Sequence, residues 1–260
     1  MPAPSGMKIA ITGAAGLIGR FLAAELEGDH EVVRIDLEPP AVVADVRDPV
    51  ALTRAFSGCS TVVHLAAVVS LSAGWQEILD TNIVGTRNVF EAAHLAGVKR
   101  VIFASSNHAV GMHERSGGAA LYAPAAGLVV RDDAPFCPDS WYGVGKAFGE
   151  VLGRYYSDEF GLQVTCVRIG SIVQGDSPDD PALTVPAWLP HLTQSDAHAR
   201  YAATWMSQRD FARLVRAIIV RDVPFAVVYG VGDNATRFWD LEPGRAIFGF
   251  WPLDGVKALV

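Results

Sequence analysis

Residues Met7-Lys-Ile-Ala-Ile-Thr12 form a short apolar run that leads straight into Gly13-Ala-Ala-Gly16-Leu-Ile-Gly19. Leu17, Ile18, Phe21, Leu22 and Leu26 then recur at helical spacing. A buried strand that turns within a few residues into a helix needs small residues at the corner. The stretch therefore predicts a strand, a glycine turn and a helix in immediate succession. The spacing is Gly-x-x-Gly-x-x-Gly rather than Gly-x-Gly-x-x-Gly. Glycines alone mark only a tight turn. Set between strand and helix, they let a pyrophosphate reach the backbone at the helix N-terminus.

The pattern repeats down the chain. Glu31–Asp36 reads as a second strand ending in an acid. Asp36 lies roughly twenty residues past the glycines, where a carboxylate accepts from a ribose 2′-hydroxyl and repels a 2′-phosphate, so NAD is expected over NADP. Arg34 is read as a surface residue. Thr61–Leu65, Arg100–Ala104 and Gln163–Ile169 read as further strands. Gln76–Ala96 and Ser140–Phe160 read as helices, with Gly97 stopping the first. Such alternation predicts an α/β fold: a Rossmann-like doubly wound parallel sheet covered on both faces. We expect an NAD-binding domain over 1–170. A small C-terminal substrate-binding lobe, with returning elements of the core sheet, is expected over 171–260.

Ligands in such sheets bind beyond the carboxyl ends of the strands. Those ends carry Gly13 to Gly19, Asp36, Ala66-Ala67, Ser105-Ser-Asn-His108 and Gly170-Ser171. Asp45-Val46 follows a further short strand, where a carboxylate meets an adenine amino group. His64, inside its strand, is expected to be structural.

Tyr142 and Lys146 lie four apart on the 140–160 helix and so share a face. An ammonium beside a phenol favours the phenolate and is expected to lower the tyrosine pKa. Such a tyrosine takes the proton from an alcohol as a hydride leaves its carbon. The pair alone is commonly just solvated; its companions at the strand ends give it weight.

The net charge of −7 argues against nucleic acid as a main partner, and no apolar run reaches membrane-spanning length. Residues 1–6 have neither the basic region nor the apolar core of a secretory signal, and read as a loose leader with Met7 an alternative start. Cys59, Cys137 and Cys166 are scattered and odd in number, which suggests a reducing compartment, the cytoplasm, and gives no metal-ligand spacing. No metal is expected.

Taken together, Thr12–Gly19, Asp36, Asp45-Val46, His64-Leu-Ala-Ala67, Asn82, Ser106 and Tyr142-x-x-x-Lys146 resemble the extended short-chain dehydrogenase/reductases, the NAD-dependent epimerase/dehydratase superfamily. The resemblance implies Tyr142 as general base, Lys146 tuning it and holding the nicotinamide ribose, and Ser106 bonding the reacting oxygen. Asn82 would support Lys146 through water. It also implies cofactor contacts from Gly13, Gly16, Leu17, Ile18, Gly19, Asp36, Asp45 and Val46, and from Leu65, Ala66, Ala67, Asn82, Tyr142, Lys146 and Ile169. Superfamily members usually pair through core-sheet helices, so a homo-oligomer is expected.

Val101–Gly111, Arg168-Ile-Gly-Ser171, Arg200–Phe211 and Phe238-Trp-Asp240 with Phe248–Pro252 are similar to the uronate dehydrogenases within it. That similarity implies oxidation of C1 of a hexuronic acid or related aldose to a lactone. Substrate contacts would come from Ser70, Ser106, Asn107, His108, Tyr142, Ser171 and Arg200. The residue types suit a sugar: Asn107 and His108 donate and accept, Ser70 and Ser171 follow hydroxyls, and Arg200 would clamp a carboxylate with two prongs. Trp205 and the later aromatics are expected in the core of the small lobe. Long stretches at 111–140 and 173–199 depart from the family pattern and are expected to border the pocket as a lid or subunit contact. Two other readings remain at this point: a nucleotide-sugar epimerase or dehydratase, and a non-catalytic NAD-sensing protein.

Overall fold

The structure is a computed structural model that describes residues 6–123, 127, 129–179, 184–185 and 192–257. The leader up to Ser5, and in the second long stretch Asp180-Pro181 and Pro186–Pro190, lie outside the described residues. Seven strands form one sheet: β1 (Lys8–Thr12), β2 (Glu31–Asp36), β3 (Val42–Val43), β4 (Thr61–His64), β5 (Arg100–Ser106), β6 (Gln163–Ile169) and β7 (Phe225–Gly230). Their order is β3-β2-β1-β4-β5-β6-β7, and every pairing is parallel. The central strands are buried along their length, β5 at all seven positions. This is the continuous burial that two covering helix layers impose. The doubly wound parallel sheet expected from the sequence is therefore present.

The helices are α1 (Leu17–Leu26), α2 (Pro49–Ala55), α3 (Trp75–Glu77), α4 (Thr86–Leu95), α5 (Gly111–Gly117), α6 (Trp141–Phe160), α7 (Gln194–Thr204), α8 (Gln208–Ile219) and α9 (Glu242–Phe248). One face of the sheet packs Ile9 and Ile11 against Leu22 and Leu26 of α1 and Phe211, Val215 and Ile218 of α8. The other packs Ala10, Val62 and Val101 against Leu52, Phe90 and Tyr156. The split follows the strand pleat, since neighbouring residues point to opposite faces. A third cluster joins Val110, Leu121, Tyr122 and Val130 to Leu192, Phe238 and Trp239. Of the aromatics expected there, Phe248 and Phe250 instead pack into the main core beside α1 and α8, because α9 returns the chain to that face. Trp205 is only half-buried.

The helix expected over Gln76–Ala96 is not regular. Ile78–Gly85 is wound as a π-helix between α3 and α4. Such insertions re-aim side chains and cluster at functional sites. Here the segment turns buried Asn82 toward Val68. The tyrosine helix α6 starts where the sequence placed it. Ser140 Oγ accepts from Gly143 N at 3.1 Å, and Gly161 ends the helix with φ +69°. Arg168 on β6 ties α6 to the sheet through Glu150, with Nε–Oε1 at 3.0 Å and Nη2–Oε2 at 2.9 Å.

Candidate active site

The chain runs outward from β1 through β2 to β3, then crosses back to place β4 on the other side of β1. A crevice opens at that reversal, above the carboxyl ends of β1 and β4. Gly13 follows β1 with φ +73°, and a Cβ there would sit 2.7 Å from Ala66 N, beyond β4. A Cβ on Gly19 would meet Gly13 O at 2.3 Å. Only glycine allows the turn to close this tightly. Gly16 caps α1 without a side-chain oxygen, so the first-turn amides face the crevice uncapped by the chain.

A cleft of about 670 Å³ runs along these strand ends. Every cofactor contact implied by the sequence lines it except Asn82. Arg47, Val68, Val69, Thr81 and Ile172 line it too and were not anticipated. Asp36 accepts from Ala15 N at 2.7 Å and Leu37 N at 2.8 Å, which fixes its carboxylate at the end of β2. Asp45 is gripped by Arg47, with Nε 3.0 Å from both carboxylate oxygens. Its pKa is lowered, first by that hydrogen bonding. Arg34 pairs with Glu27 at the surface.

A second pocket of about 340 Å³ adjoins the first. All seven expected substrate contacts line it: Ser70, Ser106, Asn107, His108, Tyr142, Ser171 and Arg200. Ser106 and Tyr142 border both pockets. Ser106 Oγ donates to Asn107 Oδ1 at 3.0 Å. Asn107 Nδ2 is buried and has no hydrogen-bond partner among the described residues. A buried donor in that state is costly unless a ligand meets it. His108 Nδ1 lies 2.7 Å from Asp139 Oδ2, and its ring meets the Tyr142 ring edge-on at 5.8 Å. Ser171 shares a hydrogen bond with Thr204 at 2.7 Å, and Ser70 with Ser72 at 3.0 Å.

One expectation needs correction, and two residues have partners that the sequence did not foresee. Arg200, expected to clamp a substrate carboxylate, lines the pocket and forms a two-pronged pair with Glu114, Nε to Oε1 at 2.5 Å and Nη2 to Oε2 at 3.3 Å. Tyr142 was expected to have a lowered pKa; it is pushed up to about 12, chiefly by burial, with Ser106 pulling the other way. Burial also brings Lys146 down to about 7. Its Nζ donates to the carbonyl oxygen of Ala104 at 2.6 Å, which turns it toward the backbone of β5. Asn82, expected to support Lys146 through water, clamps Val68 with its side chain: Oδ1 accepts from its N at 2.8 Å and Nδ2 donates to its O at 3.0 Å. His64 is structural, as expected. It bridges Thr12 Oγ1 at 2.8 Å and Thr86 Oγ1 at 3.1 Å, and burial lowers its pKa to about 3.

The model of the NAD-dependent epimerase/dehydratase family matches residues 9–219. The chain belongs to that family. It is 37% identical to L-arabinose 1-dehydrogenase (NAD(P)(+)) of Haloferax volcanii, over 97% of this chain and 99% of that one. It is 32% identical to the uronate dehydrogenase of Pseudomonas putida, over 95% and 84%. A variant of the Agrobacterium tumefaciens uronate dehydrogenase, solved in complex with NAD, superposes with a TM-score of 0.78 at 30% identity, covering 96% of this chain and 86% of that one. The resemblance to the family, and to uronate dehydrogenases within it, is thus borne out.

The family's dinucleotide fits the residues present. Gly13 and Gly19 let the turn close against its own backbone, residues 16–19 at the uncapped start of α1 line the cleft where a diphosphate would sit, and Asp36 lines it at the end of β2. Among the described residues, no cluster of His, Cys, Asp or Glu could hold a metal ion, and no helix is long and apolar enough to cross a membrane.

Proposed function

We propose that this chain oxidises the C1 hydroxyl of a sugar acid or related aldose to the lactone, with NAD as oxidant. The observation that carries the reading is the position of Ser106 and Tyr142, side by side where the dinucleotide cleft opens into a pocket lined by sugar-compatible polar groups. Bound NAD supplies the hydride acceptor. Gly13, Gly16 and Gly19, with the α1 amides, would hold its diphosphate, and Asp36 would accept from its adenosine ribose. Tyr142 Oη receives the proton of the C1 hydroxyl. Ser106 Oγ orients the same oxygen. Lys146 sits one turn along α6, where its charge, when present, favours the phenolate. Asn82 acts on the site through the Val68 backbone. Asn107, His108, Ser70 and Ser171 follow the remaining hydroxyls. The lactone then opens in water.

Residues 1–170 serve in this reading as the cofactor domain and 171–260 as the substrate lobe with returning core elements. The enzyme works in the cytoplasm, as its three free cysteines suggest, and as a homo-oligomer.

Purified protein given NAD together with glucuronate, galacturonate or neutral aldoses should generate NADH. The Tyr142→Phe variant should lose nearly all turnover while still binding NAD. Absence of NADH formation with every sugar tried would overturn the proposal.

A further inference from the structure

The wall of the sugar-side pocket holds two groups able to carry positive charge, Arg200 and His108, and a buried carboxylate meets each. Glu114 is 1% exposed at its side chain and Arg200 5%. The hydroxyl of Tyr122 gives Glu114 a further donor at 2.9 Å. Asp139, also 1% exposed at its side chain, stands against His108. Both carboxylates come from the long stretch after Gly111: Glu114 from α5 and Asp139 from the turn before α6. A guanidinium and a carboxylate locked together in a dry wall present a dipole, whose field falls off faster than that of a cation. A substrate carboxylate entering such a pocket would shed its water. In return it would meet an arginine whose charge Glu114 already cancels and whose partner repels it. Neutral hydroxyls suffer no such loss, and the buried Asn107 amide hydrogens await an acceptor.

We infer that Glu114 neutralises Arg200 and makes this pocket select an uncharged aldose over a uronate. The inference rests on the proposed C1 oxidation at this site and assigns its substrate class. Glu114 acts through Arg200 and is therefore a positioning residue.

The test compares kcat/KM for neutral aldopentoses and aldohexoses with that for glucuronate and galacturonate, in the native protein and in Glu114→Gln. The native protein should favour its best neutral aldose over either uronate by at least about tenfold. Glu114→Gln, checked for native circular dichroism, should move the uronate-to-aldose ratio at least about tenfold toward uronate, because the buried carboxylate that opposes the Arg200 charge and repels a substrate carboxylate is then gone. A merely structural role for Glu114 would lower both activities together and leave the ratio unchanged, which would overturn its assignment. Native preference for a uronate would overturn the selectivity while leaving C1 oxidation standing. No turnover of either sugar class would overturn both. If Glu114→Gln does not fold, the native ratio alone decides the selectivity.

Discussion

The Nζ of Lys146 lies 5.5 Å from the centroid of the Tyr142 ring, one helical turn along α6. Both groups are buried, and burial drives both toward their neutral forms, Tyr142 to about 12 and Lys146 to about 7. A base that must lose its proton before it can accept one becomes more abundant as pH rises. Sugar oxidation by this chain should therefore speed up from about pH 6 to about pH 9, measured as kcat/KM at saturating NAD. Tyr142→Phe should lower kcat/KM by roughly 10²–10⁴-fold and flatten the profile. A native rate independent of pH across that range would count against Tyr142 as the base.

His64 and Lys146 also link stability to pH. Each is a basic group whose folded pKa is depressed: His64 from 6.5 to about 3, Lys146 from 10.5 to about 7. Between the two values the unfolded chain binds more protons than the folded one, so stability rises with pH across each window. For Lys146 that window runs from about 7 to 10.5. Lys146→Met should thus be more stable than the native protein by a few kcal/mol at pH 7 and below, with the gain shrinking toward pH 10.5. Denaturant midpoints of the two proteins across this range test it. An equal gain at all pH values would point to packing rather than charge.

Asp36 should decide between the two nicotinamide dinucleotides. Its carboxylate is fixed by Ala15 N and Leu37 N at the end of β2, where a 2′-phosphate would meet a negative charge. Asp36→Asn should keep one acceptor and one neutral donor there. The kcat/KM ratio of NADP to NAD should rise by at least about tenfold, which corresponds to roughly 1.4 kcal/mol of altered discrimination. Unchanged preference in the variant would place cofactor selection elsewhere, with Arg47 the next residue to test.

The dinucleotide cleft was legible in the sequence because its residues follow strands whose apolar runs are local signals. Once β1 and β4 are adjacent, Gly13 and Ala66 must meet. The tyrosine helix was legible for the same reason, with Ser140 capping it and Gly161 ending it. What escaped depends on distance in the chain or on burial. Glu114 and Arg200 are 86 residues apart, and no spacing rule pairs them. The direction of the Tyr142 shift follows from its desolvation, which the four-residue spacing to Lys146 does not report. No spacing rule read from the sequence marks the π-helical winding over Ile78–Gly85.

That π-helical stretch yields the last prediction. Asn82 is 1% exposed, and both ends of its amide hold the backbone of Val68, which lines the dinucleotide cleft. Asn82→Ala removes both bonds and leaves a half-buried N–H and C=O to find water, at a cost of about 1–3 kcal/mol for each group left unsatisfied. The wall from Ala66 to Val69 should then loosen, so the variant should both melt earlier and show a raised KM for NAD. Asn82→Asp separates this bridging from a direct role beside Lys146. It keeps the acceptor for Val68 N but sets a buried carboxylate oxygen against Val68 O, and should be no more stable than Asn82→Ala at neutral pH. If Asn82→Ala instead retains the native melting temperature and the native KM for NAD but loses kcat, the Val68 clamp is not what Asn82 provides.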